Sequence, residues 1–307
     1  RILNNFSVHI LGSSAAVPNL DRYCSGQFVT CNNRNVLIDC GEGTQLQLRR
    51  LNLPIQRINI ILISHLHGDH FYGLPGLLGT MSLLGRTSGI RLYGPPELKM
   101  ILDVVFNASQ TKFEFPFEFF PLENTCRQMI YEDSGLRIFA FPLKHRIKTF
   151  GFSLEEIHQK FPLDKEKVEK DGLTNEQRRL LSEGRDFERL DGSWVRFSEY
   201  TLAKPIPRMY SYCSDTMPFG KLNEYLEGTT TLYHEATFLK DRKARANETF
   251  HSTAEDAGNQ ALRTQVNKLL IGHFSSRYTS VEPLEEEAKM VFPNAMAVKD
   301  GDCIEVL

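Results

Sequence analysis

The run Ile58-Asn59-Ile60-Ile61-Leu62-Ile63 is apolar and rich in β-branched side chains, so it reads as a strand buried within a sheet. It passes directly into Ser64-His65-Leu66-His67-Gly68-Asp69-His70, which places three histidines and an aspartate at a strand end. His65 and His67 are two residues apart; in an extended backbone such residues project to one side and can grip one ion. Asp69 and His70 follow Gly68, where a glycine permits a turn toward a second ion. Imidazole nitrogens with a few carboxylate oxygens suit zinc, with manganese or iron as alternatives. The competing reading is a histidine-rich surface loop. The buried strand before it and the ligands elsewhere in the chain weigh against that.

At 307 residues and 41% hydrophobic content, the chain can bury a large core. The formal charge of -2 excludes a global basic field of the kind that holds nucleic acid without specificity, so any such binding must be local. Cysteines at 24, 31, 40, 126, 213 and 303 form no CxxC pair, which argues against a zinc ribbon and for a reducing, cytoplasmic setting. No apolar run approaches the roughly 20 residues of a membrane span. The opening Arg1-Ile2-Leu3-Asn4-Asn5 lacks the apolar stretch of a signal peptide and reads as a trimmed start.

Along the chain, strands are expected at 8–11, 35–39, 58–63, 90–93, 116–120, 136–141, 209–213, 230–233, 268–271 and 295–299. Helices are expected at 44–51, 68–84, 97–107, 253–265 and 282–291. This interleaving predicts a layered α/β sandwich forming a single domain over 1–307. Residues 155–204 interrupt it with 10 Lys/Arg and 12 Asp/Glu, and only 175–181 has persuasive helical spacing there. The segment reads as an inserted arm, as open to being an ordinary solvated insertion as a substrate-binding device.

Three more candidate ligands lie just past strands: His145, Asp215 and His273. A lone histidine in such a place is more often structural, but three converging at strand ends favour ligation. The count closes with His65, His67 and His145 on one ion, Asp69, His70 and His273 on the other, and Asp215 bridging. Two ions roughly 3.5–4 Å apart would hold a hydroxide and clamp an in-line displacement at phosphorus.

The HxHxDH motif, His145, Ser214-Asp215-Thr216, His234-Glu235-Ala236-Thr237-Phe238, His251-Ser252-Thr253 and His273-Phe274-Ser275-Ser276-Arg277-Tyr278 together resemble the ribonuclease Z family from Leu11 to the C-terminus. HxHxDH alone marks only the metallo-β-lactamase superfamily; the last three motifs narrow it. The resemblance implies a four-layer αββα sandwich, two zinc ions per subunit, and a homodimer whose arm clasps precursor tRNA. The implied reaction removes the 3′ trailer by attack of a metal-held hydroxide, leaving a 3′-hydroxyl on the tRNA and a 5′-phosphate on the trailer. Two competing readings are a small-molecule phosphodiesterase of the same fold and a non-catalytic tRNA-binding relative.

His251 precedes Ser252-Thr253-Ala254-Glu255, a capping-box pattern that predicts a helix capped by Ser252. With the metals already supplied, His251 is the expected general acid for the leaving O3′, oriented by Glu235. Asp69 is expected to take a proton from the attacking water besides holding an ion. Arg277 is a candidate phosphate contact, and Asp39 a candidate acceptor from a ligand histidine. Two departures stand out. Where family members carry Pro-x-Lys-x-Arg, this chain has Pro18-Asn19-Leu20-Asp21-Arg22, and the arm lacks the usual Gly-Pro motif.

Overall fold

The computed structural model describes residues 5–18, 21–158 and 160–307. Asn19 and Leu20 of the 18–22 segment, and Arg1 to Asn4, lie outside the described residues. Side chains alternate across a strand, and the Ile58–Leu62 strand uses this to build two cores. Ile60 and Leu62 enter one apolar cluster, while Ile61 and the following Ile63 enter another.

The first cluster lies between two seven-stranded sheets. One sheet runs in the order Cys303–Glu305, Phe6–Gly12, Gly26–Cys31, Arg34–Cys40, Ile58–Leu62, Ile90–Gly94, Phe117–Pro121. The other runs Ala295–Ala297, Lys268–Gly272, Thr231–Glu235, Met209–Cys213, Phe150–Glu156, Leu136–Pro142, Gln128–Glu132. Phe6, Val8 and Ile10 from the first sheet join Phe150, Phe152 and Leu154 from the second in the shared core. Outside the first sheet, Leu48, Leu77, Leu78 and Leu98 bring down helices Thr44–Arg50, Leu74–Leu83 and Glu97–Ala108. Outside the second, Ala257, Ala261, Leu284 and Ala288 seat helices Ala254–Thr264 and Glu282–Val291. The result is the expected four-layer αββα sandwich.

Several elements depart from expectation. The helix predicted over 68–84 is two pieces, Gly68–Phe71 and Leu74–Leu83. The break falls at Gly73, whose N–H donates to Cys40 O at 2.9 Å. A Cβ there would lie 2.2 Å from Gly41 O, so only glycine lets the two backbones meet. Helix Ala254–Thr264 is capped by Thr253, not Ser252, through a reciprocal capping box with Asp256. The Ser252 hydroxyl is drawn away, donating to Thr216 O at 2.7 Å. Strands Gly26–Cys31, Gln128–Glu132, Phe150–Glu156 and Cys303–Glu305 had not been expected.

Within 155–204, Glu155 and Glu156 end a strand of the second sheet. Beyond them come helices Lys165–Lys170, Asn175–Ser182 and Phe197–Tyr200 and a hairpin pairing Phe187–Glu188 with Trp194–Val195. Helix Lys165–Lys170 leaves no apolar periodicity in the sequence, since Val168 is its only apolar residue. Val168, Leu173, Leu181 and Val195 form a small separate core for this segment. Its root is closed by Arg208, which makes two 2.8 Å bonds to the Glu156 carboxylate, one from Nε and one from an Nη.

Candidate metal centre

The parallel strands of both sheets deliver the site at their carboxyl ends. Arg34–Cys40 pairs parallel with Ile58–Leu62, and Met209–Cys213 with Thr231–Glu235 and then Lys268–Gly272. The chain leaving these strands carries Asp39, the 64–70 loop, Asp215, Glu235 and His273, while His145 follows the antiparallel Leu136–Pro142. The two edges are clipped together where Phe150 N–H donates to Ser64 O at 2.9 Å.

Six of the nine histidines converge here. His65 Nε2 lies 3.1 Å from His67 Nδ1, which lies 3.3 Å from His145 Nε2. Asp215 Oδ2 is 3.5 Å from His65 Nε2 and 3.7 Å from His145 Nε2. A second set holds His70 Nε2 and His273 Nε2 3.4 Å apart, each 3.5 Å from Asp69 Oδ2. Asp215 Oδ1 closes it at 3.3 Å from His70 and 3.2 Å from His273. Zinc bonds of about 2.0–2.1 Å arranged tetrahedrally give donor–donor edges of about 3.3–3.4 Å. The separations, 3.1–3.7 Å in the first set and 3.2–3.5 Å in the second, bracket that figure. Asp215 Oδ1 is buried and, although so close to two imidazoles, makes no hydrogen bond to either. A buried carboxylate oxygen left without a hydrogen-bond partner among imidazole nitrogens fits a cation.

The ring nitrogens facing away from the centre are also engaged. His70 Nδ1 is 2.7 Å from Asp39 Oδ2, an oxygen that also accepts from Ser64 Oγ and Tyr212 Oη. His145 Nδ1 donates to Phe250 O at 2.9 Å. Phe250 ends helix Lys243–Thr249 in the left-handed region (φ 59°), which aims its carbonyl there and sends His251 into the site. Asp39 and His273 also have positive φ, at 57° and 59°. Non-glycine residues held this way each cost on the order of 1–2 kcal/mol, strain that the surrounding bonds sustain.

His251 belongs to neither of these two sets, though it forms a third, overlapping cluster with Asp215 and His273. Its Nδ1 is 2.8 Å from Glu235 Oε1, and its ring lies against those of His145 and His273. Glu235 is fully buried and accepts from Thr216 N, Thr237 N and Thr237 Oγ1 as well. Burial opposes the charged form of His251, but Glu235 outweighs it and raises the imidazolium to about 9. Burial instead pushes His65 down to about 4, whereas at His70 burial is outweighed by the carboxylates of Asp69, Asp215 and Asp39, which raise the ring well above its ordinary range. Two imidazoles of one site are thus driven to opposite protonation states.

A cleft of about 400 Å³ opens over the centre, with Arg146, Arg245 and Arg277 in its lining. Arg277 is held by Ser275 Oγ at 3.0 Å and lies over the Phe238 ring. Arg146 and Arg245 were not singled out from the sequence, nor were Ser64, Thr237 and the Phe250 carbonyl. The remaining histidines stand apart: His9 packs on Phe28, His158 on Glu156, and His234 Nδ1 bonds Glu235 O.

A four-layer sandwich with a His/Asp centre at the strand ends is the metallo-β-lactamase fold, the architecture of metal-dependent hydrolases. Among solved structures, the metallo-beta-lactamase fold protein YhfI from Bacillus subtilis superposes with TM-score 0.70 at 17% identity, covering 98% of this chain and 99% of that one. The family model described as Anti-Pycsar protein Apyc1 matches residues 6–166, a span that stops before Asp215, Glu235, His251 and His273. Nearly the whole chain is matched by Ribonuclease Z of Parabacteroides distasonis, 36% identical over 97% of this chain and 98% of that protein. Human tRNase Z, short form, superposes with TM-score 0.71 at 27% identity, covering 98% and 99% of the two chains. The chain belongs to the ribonuclease Z family, and over 6–166 it also falls within the Apyc1 family model.

Proposed function

We propose that this chain is a zinc-dependent endoribonuclease that removes the 3′ trailer from precursor tRNA. The observation that carries the reading is the His251–Glu235 pair set beside two ligand tetrahedra, at the floor of an arginine-lined cleft. His65, His67, His145 and Asp215 would hold one ion, and Asp69, His70, His273 and Asp215 the other, with manganese or iron as alternatives to zinc. When bound, such a pair supplies Lewis acidity that activates water and neutralises charge on phosphorus. Asp69 accepts a proton from the incoming water. His251, held protonated by Glu235, delivers a proton to O3′ as the P–O3′ bond breaks. The tRNA leaves with a 3′-hydroxyl and the trailer with a 5′-phosphate.

Arg146, Arg245 and Arg277 suit a polyanion with phosphates on both sides of the scissile one. The segment beyond Glu156 is the proposed tRNA-docking arm, and it exposes Trp194 and Leu190 on its hairpin. Trp194 is the only tryptophan in the chain, so quenching of its emission by tRNA reports docking directly. Leu46, Tyr72, Leu83 and Leu84 are exposed in the first helical layer and support a homodimer, which light scattering measures. Among the described residues no helix is long and apolar enough to cross a membrane, and the six cysteines are unpaired; a cytoplasmic location fits both.

The excess of acid over base in the arm favours a second reading, a phosphodiesterase for small esters. Sequencing the ends made from a precursor tRNA with and without its CCA, beside turnover of bis(p-nitrophenyl) phosphate, separates the two. Efficient ester turnover with the tRNA intact at every salt concentration would sink the first.

A further inference from the structure

Two buried hydroxyls occupy equivalent chemical positions, one behind each ligand set. Ser64 Oγ is 2.8 Å from Asp39 Oδ2, 3.0 Å from His65 Nδ1 and 3.0 Å from Ser214 Oγ. Thr237 Oγ1 is 2.6 Å from Glu235 Oε2, 3.0 Å from His273 Nδ1 and 3.3 Å from His251 Nδ1. A hydroxyl has one proton and two lone pairs. The carboxylates can only accept: Asp39 is also faced by Ser64 N, His70 and Tyr212, and Glu235 by Thr216 N, Thr237 N and His251. The single proton of each hydroxyl therefore goes to its carboxylate. The neighbouring imidazole Nδ1 must then donate, which leaves the Nε2 lone pair of His65 and of His273 facing the ligand cluster.

We propose that Ser64 and Thr237 are positioning residues that fix the ligating tautomers of His65 and His273, each relaying one carboxylate to one ring. His70 and His145 obtain the same result by bonding directly to Asp39 and to Phe250 O. His67 is the exception, since it presents Nδ1 to the cluster. Thr237 has a second consequence. It ties ligand His273 to the carboxylate that also holds His251, so metal site and proton donor share one anchor. The assignment rests on the metal-centre reading above, but its test does not depend on RNA cleavage.

Thr237→Val keeps the side-chain shape and removes the hydroxyl, Thr237→Ser keeps the hydroxyl, and Ser64→Ala removes its counterpart. Zinc affinity of the metal-stripped full chain is measured by competition with a chromophoric chelator. Loss of a group that orients a ligand histidine typically weakens a site about 10- to 100-fold. That loss is expected for Thr237→Val and Ser64→Ala, while Thr237→Ser stays within about threefold of the parent. Long-range ¹⁵N–¹H correlation spectra of the unsubstituted chain, stripped and zinc-loaded, should place the proton of His65 and His273 on Nδ1. A merely structural hydroxyl would lower thermal stability without setting either observable. Undiminished zinc affinity in Thr237→Val, or an Nε2 proton on either histidine, overturns the assignment. Should a variant fail to fold, the parent spectra decide alone. A parent that binds no zinc refutes the metal-centre reading, while its stripped-state spectra still test the tautomers.

Discussion

Replacing His251 by alanine tests the proposed proton delivery apart from the other proposed functions of the site. The ring lies outside the two proposed ligand sets, so both keep all their donors, although it also clusters with Asp215 and His273. Glu235 loses one charge-assisted bond and keeps those from Thr216 N, Thr237 N and Thr237 Oγ1. That loss costs about 1.5–3 kcal/mol of stability, small enough for the chain to remain folded. A positioned general acid contributes about 100- to 10,000-fold, or roughly 3–5 kcal/mol of barrier. The full penalty should fall on precursor tRNA, whose ribose O3′ is a basic leaving group that needs a proton. A nitrophenolate leaves without one. The assay is kcat for both substrates at matched zinc occupancy, checked by metal analysis. His251→Ala is expected to lose at least about 100-fold on tRNA and under about 10-fold on bis(p-nitrophenyl) phosphate. Equal loss on both would refute the role, since only positioning or metal loading affects the two alike.

Three other outcomes follow from the same geometry. Arg277→Ala should raise KM for precursor tRNA, leave the nitrophenyl ester nearly untouched, and reduce the salt dependence of tRNA binding by about one ion. Chelation should lower Tm by on the order of 5–10 °C, reversibly on adding zinc, because ions bound only by the folded chain stabilise it by mass action; an unchanged melt would contradict a metal centre spanning both sheets. Glu156→Gln should cost about 1.5–3 kcal/mol and loosen the arm root. Burial opposes the Glu156 carboxylate, yet Arg208 holds it below its ordinary range. Its contribution is therefore complete above the unfolded value of about 4.3 and fades as pH falls through the lower folded value. Melts of parent and variant should converge as pH falls below the unfolded value and through the lower folded one, and a constant gap would exclude the pair as the cause.

The residues proposed as ligands were legible because they follow buried apolar strands, and the end of the apolar run marks where such a strand stops. Ile58 to Ile63 announces His65, and Met209 to Cys213 announces Asp215. Their partners were not legible. Ser64 and Thr237 look like any small polar residue, and the Phe250 carbonyl has no side-chain signature at all. Strand Phe150–Glu156 was not legible, and its Gly151 is a packing requirement of the strand, since a Cβ there would lie 2.3 Å from the Phe141 ring. The capping residue was displaced by one position because Ser252 had a better acceptor in Thr216 O, a residue 36 positions away.

The root of the arm has an implication for what the sandwich can carry. Its two ends are neighbouring antiparallel strands in register, Glu155 opposite Met209, with Glu156 N–H bonded to Arg208 O at 3.0 Å. Topologically the whole excursion is a hairpin loop, and doubling a loop's length costs only about 0.6 kcal/mol of closure entropy. The sandwich is therefore nearly indifferent to what hangs there. A longer, shorter or exchanged appendage would leave the edge that carries the His/Asp cluster as it is.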